Sequence, residues 1–213
     1  MRPELLYFVD PMCSWCWGFS PVIAQISERF GDALPIRVLL GGLAIGVDRP
    51  LSESAKQEIA THWEHVRELT GQQFDHEFFE REDFVYNSEL PCQAVAAIRN
   101  ANLDSLHFLA KLQESFYKYN QDITQDVVLH DVAMASGFEP QSFMAQLHAS
   151  ATVEDTRKDF ELTKKLGIQG FPALLGMADG RIELLTMGYE GYESLAQKIE
   201  GWQDAVENAE QRT

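Results

Sequence analysis

Two cysteines near the start of the chain have the spacing that thiol-disulfide chemistry requires. Cys13 and Cys16 enclose Ser14 and Trp15, shortly after an apolar run and at the beginning of a helical pattern. A helix N-terminus carries partial positive charge and unpaired amide groups, so it stabilises a thiolate there. A second cysteine one helical turn later can attack a mixed disulfide formed at the first. The pattern predicts an exposed nucleophile, Cys13, and a shielded resolving thiol, Cys16.

The remaining cysteine and the histidines are expected to have structural roles. A C-x-x-C pair can be half of a zinc site, but zinc usually takes four Cys or His ligands in two pairs. This sequence has no second pair, and His62 and His65 have no cysteine or carboxylate motif beside them. We therefore predict neither a metal nor a cofactor. Cys92 is expected to be a small buried hydrophobic residue, and a role as a third redox cysteine is the less favoured alternative.

The first 42 residues predict a strand, a helix and a second strand. Residues 5–9 form a short apolar run, residues 14–30 show apolar positions at three- and four-residue spacing, and residues 36–40 form another β-like run. Gly31 is a plausible end for the helix. Such a βαβ unit implies parallel strands with a right-handed crossover.

The rest of the chain predicts helices followed by a hairpin and a final helix. Helical periods dominate residues 52–167, where Ser88 and Thr152 are expected to cap two helices. Asp179-Gly180 lies between two short apolar runs, which predicts a hairpin, and an apolar stripe follows over residues 192–206. We predict an α/β domain, residues 1–47 and 151–213, with a helical domain of residues 48–150 inserted into it.

Two segments of the chain resemble a known group of proteins. The segment Y-F-V-D-P-M-C-S-W-C-W-G-F at residues 7–19, together with L-G-I-Q-G-F-P-A at residues 166–173, resembles the DsbA-like branch of the thioredoxin superfamily. It is most similar to the cytoplasmic disulfide-isomerase and FrnE-like groups. The resemblance covers nearly the whole chain. It implies a thioredoxin fold (βαβ…ββα) with an inserted helical domain, and thiol-disulfide oxidoreductase or isomerase activity.

The resemblance also implies which residues bind the substrate. Pro172 should be the cis-proline that faces the cysteines, and the backbone of Phe171 before it should pair with an extended peptide. We expect an apolar surface around Cys13 that suits such a peptide. The predicted binding residues are Ser14, Trp15, Trp17, Gly170, Phe171 and Pro172.

The sequence departs from the family pattern at three places. Secreted DsbA proteins have a histidine between their cysteines, where this chain has the uncharged Ser14 and Trp15. Many members carry Thr or Val where this chain has Phe171. Thioredoxins and DsbA have a buried acid six residues before the first cysteine, and Tyr7 stands there. Asp10 is nearer in sequence, and its role is open.

Composition restricts the partners. The formal net charge of −16, from 33 acidic and 17 basic residues, disfavours nucleic acid and anionic membrane surfaces. The start of the chain lacks the apolar core of a signal peptide, so we expect a cytoplasmic protein. The expected partners are protein thiols and disulfides, with glutathione as a candidate; the oligomeric state is open. The alternatives are a glutathione-dependent transferase or isomerase of the kappa-like group, in which serine typically replaces Cys13, and a non-catalytic partner-binding module.

The dipeptide between the cysteines predicts the redox balance of the pair. Because Ser14 and Trp15 contribute no charge, we expect a weaker oxidant than DsbA, with a reduction potential of about −250 to −150 mV. Against a cytosolic glutathione poise of about −220 mV or lower, the pair would be mostly reduced, which favours reduction or isomerisation. Equilibration with glutathione buffers at neutral pH measures the potential. A value at or above about −120 mV would contradict the prediction.

Overall fold

The structure of the protein, a computed structural model, describes residues 2–210. The ends of the predicted α/β domain, residue 1 and residues 211–213, lie outside the described residues. The described strands are β1 (Glu4–Val9), β2 (Ile36–Leu40), β3 (Ala173–Ala178) and β4 (Arg181–Met187). The described α-helices are α1 (Ser14–Phe30), α2 (Glu53–Thr70), α3 (Glu89–Asn100), α4 (Ser105–Tyr117), α5 (Asp126–Ala135), α6 (Pro140–Leu147), α7 (Ser150–Lys165) and α8 (Tyr192–Glu210). Short 3-10 helices lie at Gly31–Ala33 and His76–Glu80.

The strands form one four-stranded sheet in the order β2-β1-β3-β4. β1 and β2 run parallel and are joined through α1, so the predicted βαβ unit is confirmed. β3 runs antiparallel to β1 and pairs with β4 through a hairpin. Asp179 and Gly180 form its turn with φ of 49° and 75°, the left-handed conformation that a type I′ turn requires. The βαβ…ββα arrangement of the thioredoxin fold is therefore present.

Strand β1 contributes to a core on each face of the sheet because successive side chains point to opposite sides. Leu5, Tyr7 and Val9 belong to the larger core, which residues of α1, α3 and α4 complete. Leu6 and Phe8 belong to a smaller core, against which Leu162 of α7 and Leu166 and Ile168 after that helix pack. The strand that leads to the cysteines is thus held by packing on both faces. Within the described range, no helix is long and apolar enough to span a membrane.

Two helix starts differ from the expectations. Ser88 precedes α3 but makes no capping bond; its hydroxyl instead accepts from the Ala44 amide at 3.2 Å and donates to the buried carboxylate of Asp10 at 2.7 Å. Helix α7 begins at Ser150, so Thr152 lies within the first turn instead of capping it. The buried Thr152 hydroxyl accepts a hydrogen bond from Gln146 at 3.3 Å. In both cases the hydroxyl bonds to a residue outside the helix that it was expected to cap, which the capping pattern does not reveal.

A mostly buried ion pair joins the sheet to helices α3 and α7. Asp159 on α7 accepts hydrogen bonds from the Arg99 guanidinium on α3 at 2.5 Å and from the Leu40 amide on β2 at 3.2 Å. Arg99 also donates to the carbonyl of Val38 on β2 at 2.8 Å. These bonds connect the edge strand to both helices. The division of the chain at residues 47–48 and 150–151 stays a prediction.

Asp159→Asn should lower the free energy of unfolding by about 2 kcal/mol, because it leaves the Arg99 guanidinium without its carboxylate. Urea denaturation measures the change. Asp155→Asn is the matched control, since this acid on the same helix pairs with Lys158 at the surface, where ion pairs contribute little. Equal losses in the two variants would contradict the role assigned to the buried pair.

Candidate active site

The first cysteine of the pair occupies the N-cap of α1. Its backbone is extended, with φ of −90° and ψ of 114°, and its Sγ accepts a hydrogen bond from the Cys16 amide at 3.3 Å. The Cys13 amide donates to the Asp10 carbonyl at 3.1 Å, which closes the turn between β1 and α1. The sulfur thus pairs with an amide of the first helical turn that would otherwise lack a partner. The partial positive charge of the helix N-terminus therefore lies next to the Cys13 sulfur.

The two sulfurs differ in their access to solvent. Cys13 is 6% exposed and Cys16 is 0% exposed. Cys16 is therefore the shielded member of the pair. Cys13 is also mostly buried, so the expectation of an exposed Cys13 is wrong; it lines a cavity to which α2 contributes. Burial, and next the interaction with Cys13, raises the pKa of the Cys16 thiol well above its usual value. Cys16 is consequently a neutral thiol at rest.

Cys13 opens into a cavity of about 250 Å³ between the start of α1 and helix α2. Most of the lining side chains are apolar, so the cavity suits an apolar group next to a substrate sulfur. Ile59 and Trp63 lie on α2, within residues 52–167, whose helical period does not link them to the cysteines. The cavity is lined by Met12, Cys13, Ser14, Trp15, Leu43, Ile59, His62, Trp63, Tyr86 and Phe171.

The distant L-G-I-Q-G-F-P-A segment meets the cysteines at the predicted place. The Phe171–Pro172 peptide bond is cis, the geometry that the resemblance implies. The Cys13 thiol donates to the carbonyl of Phe171 at 3.5 Å. The Phe171 ring lies directly on Gly41, where an added Cβ would come within 2.1 Å of the ring. The residue after β2 must therefore be glycine for this ring to reach its position.

The structure places the predicted binding residues near one another but not all on the cavity wall. Ser14, Trp15 and Phe171 line the cavity. Pro172 is buried, and neither it nor Gly170 contributes to the lining. The expected aromatic surface beside Cys13 thus consists of Trp15 and Phe171, with additional walls from α2.

Trp17 has a different environment from the one expected. It is 7% exposed and lies outside the cavity lining. Its Nε1 donates to the carbonyl of Gln73 at 3.1 Å, and its ring stacks on Tyr117 with 6.2 Å between the ring centroids. Trp17 therefore packs α1 against α4 and against the segment after α2. The C-x-x-C-W pattern alone did not distinguish this packing role from contact with a substrate.

Three polar residues lie in the interior near the pair. Cys92 is fully buried, as expected, and its thiol donates to the Asp10 carboxylate at 3.4 Å. Burial raises the pKa of Cys92 well above its usual value. Tyr7 is also fully buried, and its hydroxyl has no hydrogen-bond partner within the described residues. Residues 2–210 contain no group of three or more His, Cys, Asp or Glu side chains that could hold a metal ion.

A βαβ…ββα sheet, a cysteine pair at the start of α1 and a cis-proline segment opposite it define the class of thioredoxin-fold proteins. The chain belongs to the family described as Thioredoxin, whose model matches residues 6–196. A candidate protein disulfide isomerase from Nitrosomonas europaea is 31% identical, with a TM-score of 0.89 over 96% of this chain and 99% of that chain. These findings confirm the thioredoxin-like fold and the DsbA-like resemblance.

Two further relatives differ in the roles that their names state. The cytosolic disulfide reductase DsbM from Pseudomonas aeruginosa is 25% identical, with a TM-score of 0.74 over 99% of this chain and 100% of that chain. A second structure of DsbM is described as being with GSH. ClpXP adapter protein SpxH from Halalkalibacterium halodurans is 26% identical over 92% of this chain, and SpxH from Bacillus subtilis is 25% identical over 80%. The chain spans only 66% and 57% of the lengths of these two adapters.

Iodoacetamide should alkylate Cys13 well before Cys16 or Cys92 in the native reduced protein. Cys13 alone retains accessible surface, and burial raises the pKa values of the other two thiols. Peptide mass spectrometry after short labelling at neutral pH should find one adduct, at Cys13, and labelling in urea should find adducts at all three cysteines. Early labelling of Cys16 or Cys92 would contradict this assignment.

Proposed function

We propose that the protein is a thiol-disulfide oxidoreductase in which Cys13 is the nucleophile and Cys16 is the resolving thiol. The observation that carries the proposal is the geometry of the pair. The Cys13 sulfur faces an apolar cavity and the Phe171 carbonyl, whereas Cys16 lies one turn deeper with no exposed surface. The family match and the disulfide-exchanging neighbours support this class of chemistry.

The reaction consists of two exchanges that need no cofactor. The Cys13 thiolate attacks one sulfur of a substrate disulfide, forms a mixed disulfide and releases the other substrate sulfur as a thiolate. Cys16 then loses its proton, attacks the Cys13 sulfur and releases the second substrate thiolate. The substrate gains two electrons and becomes a dithiol after taking up two protons. The protein is left with a Cys13–Cys16 disulfide, which an external thiol reductant returns to the dithiol.

The proposed substrates are protein thiols and disulfides presented on an extended segment. Such a segment would place its sulfur beside Cys13 and pair its backbone with that of Phe171, next to the Phe171 carbonyl that the Cys13 thiol already contacts. Trp15 and Ile59 supply apolar walls for a neighbouring side chain. Glutathione is a proposed small thiol partner, and the DsbM structure described as being with GSH supports it.

We propose that the protein works in the cytoplasm, as a reductase or an isomerase. The neighbour DsbM, a cytosolic disulfide reductase of nearly the same length, supports both the compartment and the direction. The uncharged Ser14 and Trp15 support the same direction, because they give the Cys13 thiolate no additional cationic stabilisation.

Cys13→Ser should reduce the rate of insulin reduction by about two orders of magnitude or more, because no thiolate remains to begin the exchange. Cys16→Ser should instead accumulate a mixed disulfide between Cys13 and the substrate, since the resolving thiol is missing. Non-reducing electrophoresis and mass spectrometry of the two variants measure these outcomes. Mixed disulfides in the Cys13→Ser variant would reverse the proposed roles of the two cysteines. An absence of mixed disulfides in the Cys16→Ser variant would contradict those roles.

A non-catalytic adapter is the second candidate, because the curated ClpXP adapters align with most of this chain. An adapter acts through surface contacts and has no need of both cysteines. Full partner binding by the Cys13→Ser, Cys16→Ser double variant, together with no disulfide exchange by the wild type, would favour that role. Glutathione transfer to a substrate without a disulfide would favour the kappa-like alternative.

A further inference from the structure

Asp10 is an acidic residue in the interior, at the turn that leads from β1 to Cys13. It is 0% exposed. All of its hydrogen-bond donors among the described residues are neutral groups. An acid in this position is costly to bury unless hydrogen bonds compensate for the lost water. Neither the family resemblance nor the proposed reaction gives it a task.

Four donors surround the Asp10 carboxyl group. The Met12 amide donates to Oδ1 at 2.9 Å, and the Leu43 amide donates to Oδ2 at 2.7 Å. The Ser88 hydroxyl donates to Oδ2 at 2.7 Å, and the Cys92 thiol donates to the same oxygen at 3.4 Å. The donors come from the β1–α1 turn, the loop after β2 and the start of α3. Asp10 therefore joins three separate segments around the cysteine pair.

This set of partners fits an ionised carboxylate. The two backbone amides can only donate, so each carboxyl oxygen already accepts a hydrogen bond. The Ser88 hydroxyl accepts from the Ala44 amide at 3.2 Å, which directs its own proton to Asp10. Burial raises the pKa of Asp10, and the four hydrogen bonds oppose that effect. The network can thus hold a negative charge in the apolar interior.

The charge lies among the thiols that exchange electrons. The Asp10 carbonyl accepts the Cys13 amide at 3.1 Å, so the two residues share one turn. Burial is the largest cause of the raised pKa values of Cys16 on α1, Cys92 on α3 and Tyr86 before α3, and the Asp10 charge raises each of them further. Among the described residues, the titratable groups that interact with the Asp10 carboxyl are therefore Cys16, Cys92 and Tyr86, and none of them adds positive charge.

We propose that the Asp10 carboxylate lowers the reduction potential of the Cys13–Cys16 pair, as a positioning residue that acts through the cysteines. The inference rests on the proposed function. In the relevant equilibrium, the protein disulfide and two glutathione thiols exchange two electrons to give the reduced pair and glutathione disulfide. When the reduced pair carries a thiolate, the fixed negative charge of Asp10 disfavours it. The equilibrium then moves toward the protein disulfide, and the reduced protein becomes a stronger reductant.

Asp10→Asn should increase the equilibrium constant for reduction of the pair by glutathione about tenfold at neutral pH. A tenfold change corresponds to about 30 mV for a two-electron couple. The increase should disappear at a pH low enough for both reduced cysteines to be thiols. A structural role alone would not produce this pH dependence.

Asp159→Asn is the matched control. Asp159 is also a mostly buried acid that accepts a backbone amide, but its charge is paired with the Arg99 guanidinium, whereas all the donors to Asp10 are neutral. The Asp159→Asn variant should be less stable than the wild type. Its equilibrium constant for reduction of the Cys13–Cys16 pair by glutathione should stay within about twofold of the wild-type value. A tenfold change in this variant as well would show that lost stability, not the Asp10 charge, alters the equilibrium.

The wild-type protein gives a second measurement in case Asp10→Asn does not fold. The ¹³C chemical shift of the Asp10 carboxyl carbon should report an ionised group at neutral pH in the oxidised protein. Its titration should move to higher pH on reduction, because a thiolate and a carboxylate repel each other. A protonated Asp10 at neutral pH in the oxidised protein, an unmoved titration or an unchanged equilibrium constant would overturn the inference. Failure of the wild type to form a Cys13–Cys16 disulfide would overturn the proposed function as well.

Discussion

The turn between β1 and α1 determines where the reactive sulfur lies. β1 pairs with β2 on one side and β3 on the other, so the hydrogen bonds of two neighbours fix the point at which the strand ends. The Cys13 amide then bonds to the Asp10 carbonyl, and the Cys13 sulfur receives the Cys16 amide. A shift of one residue in this turn would remove the sulfur from the helix terminus, from the Phe171 carbonyl and from the cavity together.

Other segments hold this turn in place through short polar contacts. The Asp10 carboxylate connects it to the loop after β2 and to the start of α3. Gly41 leaves room for the Phe171 ring, which brings the segment before β3 to the same point. Because these segments are far apart in sequence, the site forms only when the sheet and the helices have assembled. Stability and reactivity therefore depend on the same residues.

Local sequence patterns predicted the strands, the hairpin turn and the cysteine pair at a helix start, because each of these features depends on residues that are close in sequence. The run at residues 36–40 matches β2, and Asp179-Gly180 forms the predicted turn. The resemblance supplied the position of Pro172. The helical pattern of α2 indicated that Ile59 lies on an apolar face of that helix. Periodicity predicts which side chains are buried, but it does not predict which part of the protein they pack against.

The same limit explains the errors at single residues. Trp17 follows the second cysteine directly, yet the helical turn points its ring toward Tyr117 and away from the cavity. Ser88 has the residue type of a cap, but its hydroxyl accepts from the Ala44 amide instead of a helix amide and donates to the buried Asp10. Both outcomes depend on partners that are distant in sequence, so no local pattern contains them.

The nearly complete burial of Cys13 limits which substrate sulfurs could take part in the proposed exchange. Cys13 is 6% exposed and lines a cavity whose walls include Ile59, His62 and Trp63 of α2. A disulfide that lies flush with the surface of a folded protein would have poor access to Cys13, whereas a sulfur on a narrow projection, such as a chain end, an unfolded loop or a tripeptide thiol, would have better access. In the proposed reaction, the width of this cavity would thus favour substrates of small cross-section.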